Sequence, residues 1–197
     1  MHGLIGFVLA GFALAGSPGP ATLSTAAAGA AFGARGGIAY MLGIVAGLVM
    51  IMGMVATGVA GILLELPGAT PVITIASASY FIYLAFRIAT APPMAQNPDE
   101  QKRPTFYGGI FLSLVNPKGY AAMAALSSGF VLVSSRFELD TAMKMVAVAA
   151  IATTALSIWL SSGAVLARFY RDSRISRVVN VIFALLLVVS VALTLLL

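Results

Sequence analysis

The sequence predicts an all-α fold, a polytopic membrane protein with six transmembrane helices arranged as two inverted three-helix repeats with broken helices 1 and 4. Three observations carry this prediction: long stretches without charge, a polar loop near the middle of the chain, and a proline break at the same depth in each half. We expect residues 1–197 to form a single membrane domain, with repeat 1 over about 1–90 and repeat 2 over about 106–197.

Charged residues are few and clustered. They make up 9% of the 197 residues, and 60% are hydrophobic, whereas soluble domains carry about 25% charged residues. A helix that crosses the hydrocarbon core needs about 20 apolar residues. The charge-free intervals are 3–34, 36–64, 66–86, 104–117, 119–135, 145–167 and 178–197. Five reach that length alone, and the two that flank Lys118 reach it together, so six spans are predicted.

The predicted helices follow these intervals. They cover residues 3–31, 38–64, 70–90, 106–133, 142–167 and 176–197. Ala13-Leu14-Ala15 is similar to a signal-peptidase site, but no basic segment precedes it, so we expect a retained first helix. Residues 91–105 form the one long loop, which is polar and rich in proline.

The distribution of Lys and Arg predicts the orientation, because cytoplasmic loops are enriched in these residues. Arg136 and Lys144 stand alone on one side. The other side collects eight: Arg35, Arg87, Lys102, Arg103, Arg168, Arg171, Arg174 and Arg177. We therefore expect both termini outside the cytoplasm. The same argument explains the net charge of +5, and we expect no nucleic-acid partner.

Each half contains three predicted helices, so the second half must enter the membrane in the opposite sense to the first. Inverted repeats of this kind are common in transporters. At an offset of 99 residues, Phe12 aligns with Phe111, Ser17 with Asn116, and Pro18 with Pro117. These few matches fall at the same depth in the first helix of each half.

Both of these helices contain a proline break. Ser17-Pro18-Gly19-Pro20 lies in the middle of the first apolar interval, and Asn116-Pro117-Lys118-Gly119 lies in the fourth helix. Proline inside a helix removes a hydrogen bond and clashes with the preceding turn. We expect Ser17 and Asn116 to be N-caps, with Pro18 or Pro20 and Pro117 in the first turns of the restarted helices.

Irregular backbone at membrane depth requires cover by protein or a wet cavity, so the two breaks should meet near the midplane. Two helix N-termini and the Lys118 ammonium would then form a site for an anion such as a carboxylate. Prolines can also serve only as kinks, but a paired break with an intramembrane lysine favours a site. The predicted substrate-binding residues are Ser17, Pro18, Gly19, Pro20, Thr22, Asn116, Pro117 and Lys118.

Other features favour structural roles. Small residues on one helix face permit close backbone contact, and we expect such packing at Gly29, Gly33, Gly43 and Gly47. Tyr80, Tyr83 and Arg87 are interpreted as an interfacial anchor. Trp159 is interpreted as a packing residue. The arginines from 168 to 177 predict a basic cytoplasmic hairpin that contacts anionic lipid.

Several chemistries lack the residues that they need. There is no cysteine, the one histidine is His2, and we expect no Asp or Glu within a span, so no metal and no cofactor are predicted. Ser127-Ser128-Gly129 has no base nearby for nucleophilic catalysis except Lys118, which makes an enzyme a poor interpretation. A transporter or channel for another solute or ion, and a non-transporting membrane subunit, remain open alternatives.

The chain resembles the lysine exporter (LysE/RhtB) family of bacterial amino-acid exporters. The resemblance rests on Ser17-Pro18-Gly19-Pro20-Ala21, on Gly43-xxx-Gly47, on residues 78–87, and on the segment from Gly109 to Asn116-Pro117-Lys118. Length and helix count agree, so the resemblance covers essentially the whole chain. The family's motif residues correspond to Pro18, Gly19, Pro20, Asn116, Pro117 and Lys118.

The resemblance implies export of an amino acid or related small zwitterion across the bacterial inner membrane, coupled to the proton gradient. It implies the lipid bilayer and a small-molecule substrate as partners, and it leaves a homo-oligomer open. Many relatives carry a polar or acidic residue just after the second glycine of the second helix, where this chain has Leu48. Since no carboxylate is expected in a span, we favour a neutral or apolar amino acid as the substrate.

Overall fold

The computed structural model describes residues 2–90, 103–169 and 173–196, and within these ranges the chain is helical and contains no strand. The helices are α1 (His2–Gly16), α2 (Pro20–Ala56), α3 (Val59–Glu65), α4 (Ala69–Ala89), α5 (Phe106–Leu114), α6 (Pro117–Gly129), α7 (Phe137–Phe169) and α8 (Ser173–Leu196). The predicted all-α class is confirmed.

Three of these helices are long and apolar enough, by length and composition, to cross a membrane. The qualifying segments are Pro20–Ala56, Pro71–Ala89 and Phe137–Ala167. Gly3–Gly16 and Arg177–Ala192 are apolar but shorter. The first proline break ends α1, and the second ends α5 and begins α6, so none of these three helices reaches the length of a full span by itself.

The loop predicted between residues 31 and 38 is replaced by a kink inside α2. The helix continues on both sides of Gly33, whose backbone is non-helical with φ 72° and ψ 166°. Glycine adopts a positive φ without a Cβ clash, so one residue redirects the chain where a loop was expected. Arg35 follows the kink and is exposed.

Other predicted boundaries also shift. The helix predicted over residues 38–64 is divided, since α2 ends at Ala56 and Gly58 adopts φ 79° before α3. The helix predicted over 106–133 ends at Gly129, and α7 begins at Phe137 and not at 142. Glu138 and Asp140 occupy the first turn of α7, where a negative charge favours the helix N-terminus.

The core is organised around α2, which packs against α4, α5, α6, α7 and α8. Its buried residues Tyr40 and Ile44 lie in one apolar cluster with Phe81 and Leu112. A second cluster joins Phe7 of α1 to Ile51 of α2, together with residues of α6 and α7. Large apolar side chains on the outer surface are exposed, as a lipid-facing surface requires.

Some predicted features lie outside the described residues. These are the loop over 91–102, which contains Lys102, and the side chains of Arg168, Arg171 and Arg174 in the basic hairpin. The side chain of Arg177 is described and is exposed.

Candidate functional site

The first break lies between α1 and α2 and consists of Ser17, Pro18 and Gly19. Ser17 does not cap α2, so the predicted N-cap is wrong. Its hydroxyl donates to the Leu14 carbonyl at 2.8 Å and thus closes the last turn of α1. The N-cap position belongs to Gly19, and Pro20 is in the first turn of α2 as predicted.

Thr22 stabilises the restart of α2 from within its first turn. Its hydroxyl oxygen accepts a hydrogen bond from the Gly19 N–H at 2.9 Å and lies 3.0 Å from the Gly19 carbonyl oxygen. This is the return half of a capping box, in which a side chain three residues on satisfies the backbone N–H of the cap. The Thr22 side chain is buried.

The second break lies between α5 and α6 and consists of Val115 and Asn116. Asn116 is the N-cap of α6 and Pro117 is in its first turn, which confirms both predicted positions. The Asn116 Oδ1 accepts a hydrogen bond from the Lys118 N–H at 3.2 Å. Asparagine is among the preferred N-cap residues, and proline needs no N–H partner in the first turn.

Lys118 connects the two breaks. Its Nζ donates to the Ser17 Oγ at 2.7 Å, to the Pro18 carbonyl at 2.9 Å and to the Ser17 carbonyl at 3.1 Å. The ammonium is therefore held by oxygens that follow the C-terminal end of α1, where the helix dipole is negative. The side chain is half-buried.

Gly19 allows the lysine to lie against the backbone of the first break. A Cβ at this position would be 2.8 Å from Lys118 Nζ and 3.0 Å from Lys118 Cδ. Gly19 has φ 178°, an extended conformation that any residue adopts. Glycine is therefore required here because a Cβ would clash with the Lys118 side chain, and not because of the backbone conformation.

A cavity of about 60 Å³ lies beside this junction. Its polar lining side chains are Ser17, Thr22, Asn116 and Lys118. The remaining walls are apolar and come from α1, α2, α6 and α7, with Leu14, Leu48, Met123, Leu126, Val148, Ile151 and Leu156 as the large side chains.

Most of the apolar wall could not be assigned from the sequence. Val148, Ile151 and Leu156 of α7 contribute to it, and in the sequence they are indistinguishable from residues that face lipid.

The sequence did indicate a polar contact for Trp159, since a buried indole N–H needs an acceptor. Its Nε1 donates to the Gly16 carbonyl at 3.2 Å, so Trp159 fixes the end of α1 at the first break.

The glycines predicted to pack occupy two kinds of position. A Cβ on Gly29 would collide with the Leu160 carbonyl, and one on Gly43 would collide with the Phe106 carbonyl. At Gly47 the limiting neighbour is Ser113, whose Oγ donates to the Ile44 carbonyl at 2.9 Å. Gly33 supplies the positive φ of the kink in α2.

Tyr80 differs from the interfacial anchor that was predicted. Its hydroxyl donates to the Gly108 carbonyl at 2.8 Å, and its ring packs edge-on against Phe111 with centroids 4.8 Å apart. Tyr80 therefore connects α4 to α5. Tyr83 is exposed, and the Arg87 Nη1 lies 3.4 Å from its hydroxyl.

A buried ion pair occurs where no carboxylate was expected. Asp140, in the segment Phe137–Ala167, lies 2.7 Å from the Nζ of Lys144, and both side chains are buried. Asp140 lies in the first turn of α7, before the start predicted at residue 142, so α7 contains an acidic side chain that the predicted helix did not include. Asp140 also accepts from the Leu132 and Val133 N–H groups, and Lys144 donates to the Ser127 carbonyl.

Among the residues that the structure describes, no group of three His, Cys, Asp or Glu side chains could hold a metal ion. The cavity offers a cation, hydroxyls and an amide beside apolar walls. This arrangement suits a small ligand that carries both a charged group and an apolar part.

Comparison with known proteins identifies the family. The family described as LysE type translocator matches residues 12–197. Searches of curated proteins and of solved structures find no match. The matched range contains both breaks and every polar residue of the cavity. The chain therefore belongs to the LysE type translocators, a family of membrane transporters of small solutes and not of enzymes.

Proposed function

We propose that this protein exports amino acids or related small zwitterions from the cytoplasm across the bacterial inner membrane. The observation that carries the proposal is the Lys118 ammonium, which lines an otherwise largely apolar cavity at the point where the two broken helices meet. A buried lysine is costly in a membrane and marks a functional site by default.

In this proposal the substrate carboxylate binds the Lys118 ammonium. The first-turn N–H groups of Ala21 and Thr22, which have no acceptor within α2, supply further donors. The substrate ammonium binds the Ser17 and Pro18 carbonyls, which are the acceptors that Lys118 uses in the present conformation. Asn116 and the two prolines hold the helix ends in place.

The cavity walls favour a neutral substrate side chain. Leu48, Ile151 and Leu156 offer dispersion contacts. Among the described residues, no acidic side chain lines the cavity to pair with a cationic substrate side chain. The cavity is small, about 60 Å³, which favours a small amino acid.

The helix contacts support a chain of six membrane passes in two inverted repeats. The first helix of each half would pack on the second helix of the other half: α1 contacts α7 through Gly11 and Ile151, and α5 contacts α2 through Gly109 and Gly43. The third helices, α4 and α8, also contact each other. Such reciprocal contacts are expected of a pair of repeats related by a two-fold axis in the membrane plane.

The contact between Lys118 and Ser17 would change during transport. A ligand shifts a conformational equilibrium only by its differential affinity for the two states. A bound carboxylate competes with the Ser17 and Pro18 oxygens for the ammonium and so weakens the link between the two halves. Breaking this link would permit alternating access to the two sides of the membrane.

Orientation and energy source complete the proposal. Both termini would be periplasmic, which places the kink near Arg35 on the cytoplasmic side. The proton gradient would drive export. Lys118 is the one titratable side chain among the described residues that line the cavity, so proton coupling would act through its ammonium.

The test is efflux of radiolabelled amino acids from preloaded cells that express wild-type protein, K118M or R136Q. R136Q is the matched control because it removes one positive charge from an exposed position. We expect K118M to reduce efflux at least tenfold and R136Q to change it less than twofold, at equal expression. Full efflux with K118M would contradict the site. Efflux of inorganic ions alone, or no solute movement by the wild-type protein, would contradict the function.

A further inference from the structure

A second cavity lies at the other end of the half-helix that begins at Pro20. Its volume is about 30 Å³, and its polar lining side chains are Ser24, Tyr40 and Arg87. Phe32, Leu84 and Pro104 are among its apolar walls. Thr22 lines the central cavity and Ala28 lines this one, a separation of about 9 Å along the helix.

Tyr40 is the unusual residue of this cavity. Its side chain is 1% exposed, and its Oη is the one buried side-chain nitrogen or oxygen without a hydrogen-bond partner in the described part of the chain. Buried hydroxyls are nearly always paired, so an unpaired one that lines a cavity can donate to a molecule bound there. The neighbouring Ser24 hydroxyl donates to the Ala21 carbonyl at 3.1 Å and leaves its lone pairs as acceptors.

Arg87 places a positively charged side chain at this cavity. Its guanidinium lies 5.9 Å from the ring centroid of Tyr83, which helps to orient it, and the residue lines the cavity with Tyr40. A guanidinium presents parallel N–H groups that match a carboxylate. A phenol O–H is a further donor to the same anion.

We infer that this cavity is a second binding site, an entry subsite that receives the carboxylate group of the substrate through Tyr40 and Arg87 before the substrate reaches Lys118. As an entry subsite it rests on the proposed function and on the proposed orientation, which places Phe32, Pro104 and Arg87 near the cytoplasm. Its volume fits a carboxylate group, so the remainder of the substrate would extend out of the cavity.

The first experiment does not depend on transport. Purified wild-type protein, Y40F and Y107F are heated in increasing concentrations of sodium acetate or sodium chloride. Acetate is the smallest carboxylate probe, and Tyr107 is a matched control because its side chain is 79% exposed. We expect acetate to raise the Tm of the wild-type protein and of Y107F equally, with at least half of this shift lost in Y40F.

Two outcomes overturn the inference here. Equal acetate shifts in all three proteins would mean that the Tyr40 hydroxyl contacts no carboxylate and holds water only. An equal effect of chloride that is also lost in Y40F would identify a site for inorganic anions. Y40F should fold, because it removes an unpaired buried hydroxyl and keeps the ring.

The second experiment measures efflux of radiolabelled L-alanine, L-valine and L-leucine over a range of internal concentrations. Y40F should raise the half-saturating internal concentration about ten- to a hundredfold, as the loss of one hydrogen bond to a charged group implies. The maximal rate should change less than twofold. An unchanged half-saturating concentration overturns the inference, whereas no efflux by the wild-type protein, with the acetate effect intact, contradicts the proposed function alone.

Discussion

Lys118 Nζ lies 2.7 Å from Ser17 Oγ, although the two residues are 101 positions apart in the chain. The bond joins the break in the first half to the break in the second. Because Ser17 also donates to the Leu14 carbonyl, the link continues into the last turn of α1. Any movement of one half relative to the other must therefore break this contact or move both residues together.

Gly19→Ala should disturb the link by a steric route. The added methyl group would be 2.8 Å from the Lys118 Nζ, inside the contact distance of real Cβ atoms, so the ammonium must move away from Ser17 and Pro18. We expect at least a tenfold loss of efflux with little loss of stability, because the backbone at Gly19 is extended.

Gly16→Ala is the matched control for this prediction. A Cβ on Gly16 meets no atom within 4 Å, and Gly16 has no positive φ that alanine would strain. G16A should therefore keep wild-type efflux and show an equal or higher Tm. Comparable efflux from G16A and G19A would contradict the steric argument.

Local chemistry explains which parts of the site were predictable. Asn116 and Pro117 were placed correctly because a cap and a first-turn proline act on adjacent backbone groups. Ser17 was placed wrongly since its hydroxyl has two alternatives in space, the carbonyl of Leu14 and the ammonium of Lys118, and the second is distant in sequence.

The roles of glycine and apolar residues were harder to predict from the sequence than those of the helix caps. Gly29 and Gly33 are one helical turn apart, yet one permits contact with Leu160 and the other redirects the chain. Likewise Ile151 lines the cavity and Ile158 is exposed on the same helix. Tertiary contacts decide between these roles, and an apolar helix gives little periodic signal from which to infer them.

Ile151→Ala should widen the range of exported substrates. The Ile151 side chain lines the cavity and contacts the position of Gly11, so its truncation adds space beside Lys118. Efflux of larger apolar amino acids should rise relative to alanine, by up to about tenfold for the methylene groups accommodated. The ratio of leucine to alanine efflux measures this effect.

Ile158→Ala provides the comparison on the same helix, since Ile158 is 62% exposed and does not line the cavity. I158A should leave the ratio of leucine to alanine efflux unchanged. A similar change in both variants would mean that α7 affects selectivity through general loosening and not through the cavity wall.

Trp159→Phe should destabilise the end of α1 at the first break. The indole N–H donates to the Gly16 carbonyl at the end of α1, and phenylalanine keeps an aromatic six-membered ring while it removes the donor. A lost hydrogen bond of this kind costs about 1 kcal/mol. We expect a Tm lower by a few degrees and reduced efflux, measured on the same preparation. An unchanged Tm would contradict a role for the indole N–H in holding α1.

Asp140→Asn should destabilise the protein more than any surface substitution. Asp140 pairs with the buried Lys144 and accepts from the Leu132 and Val133 N–H groups, so it fixes the segment between α6 and α7. Removal of one partner leaves a buried charge without its counter-ion and costs about 3–5 kcal/mol.

The neighbouring Glu138→Gln is the control, because Glu138 is exposed in the same helical turn, and its Tm should match the wild type. The double variant D140N/K144M removes both charges, so it should recover part of the Tm that D140N loses. A double variant less stable than D140N would show that Lys144 is held mainly by the Ser127 carbonyl and not by the ion pair.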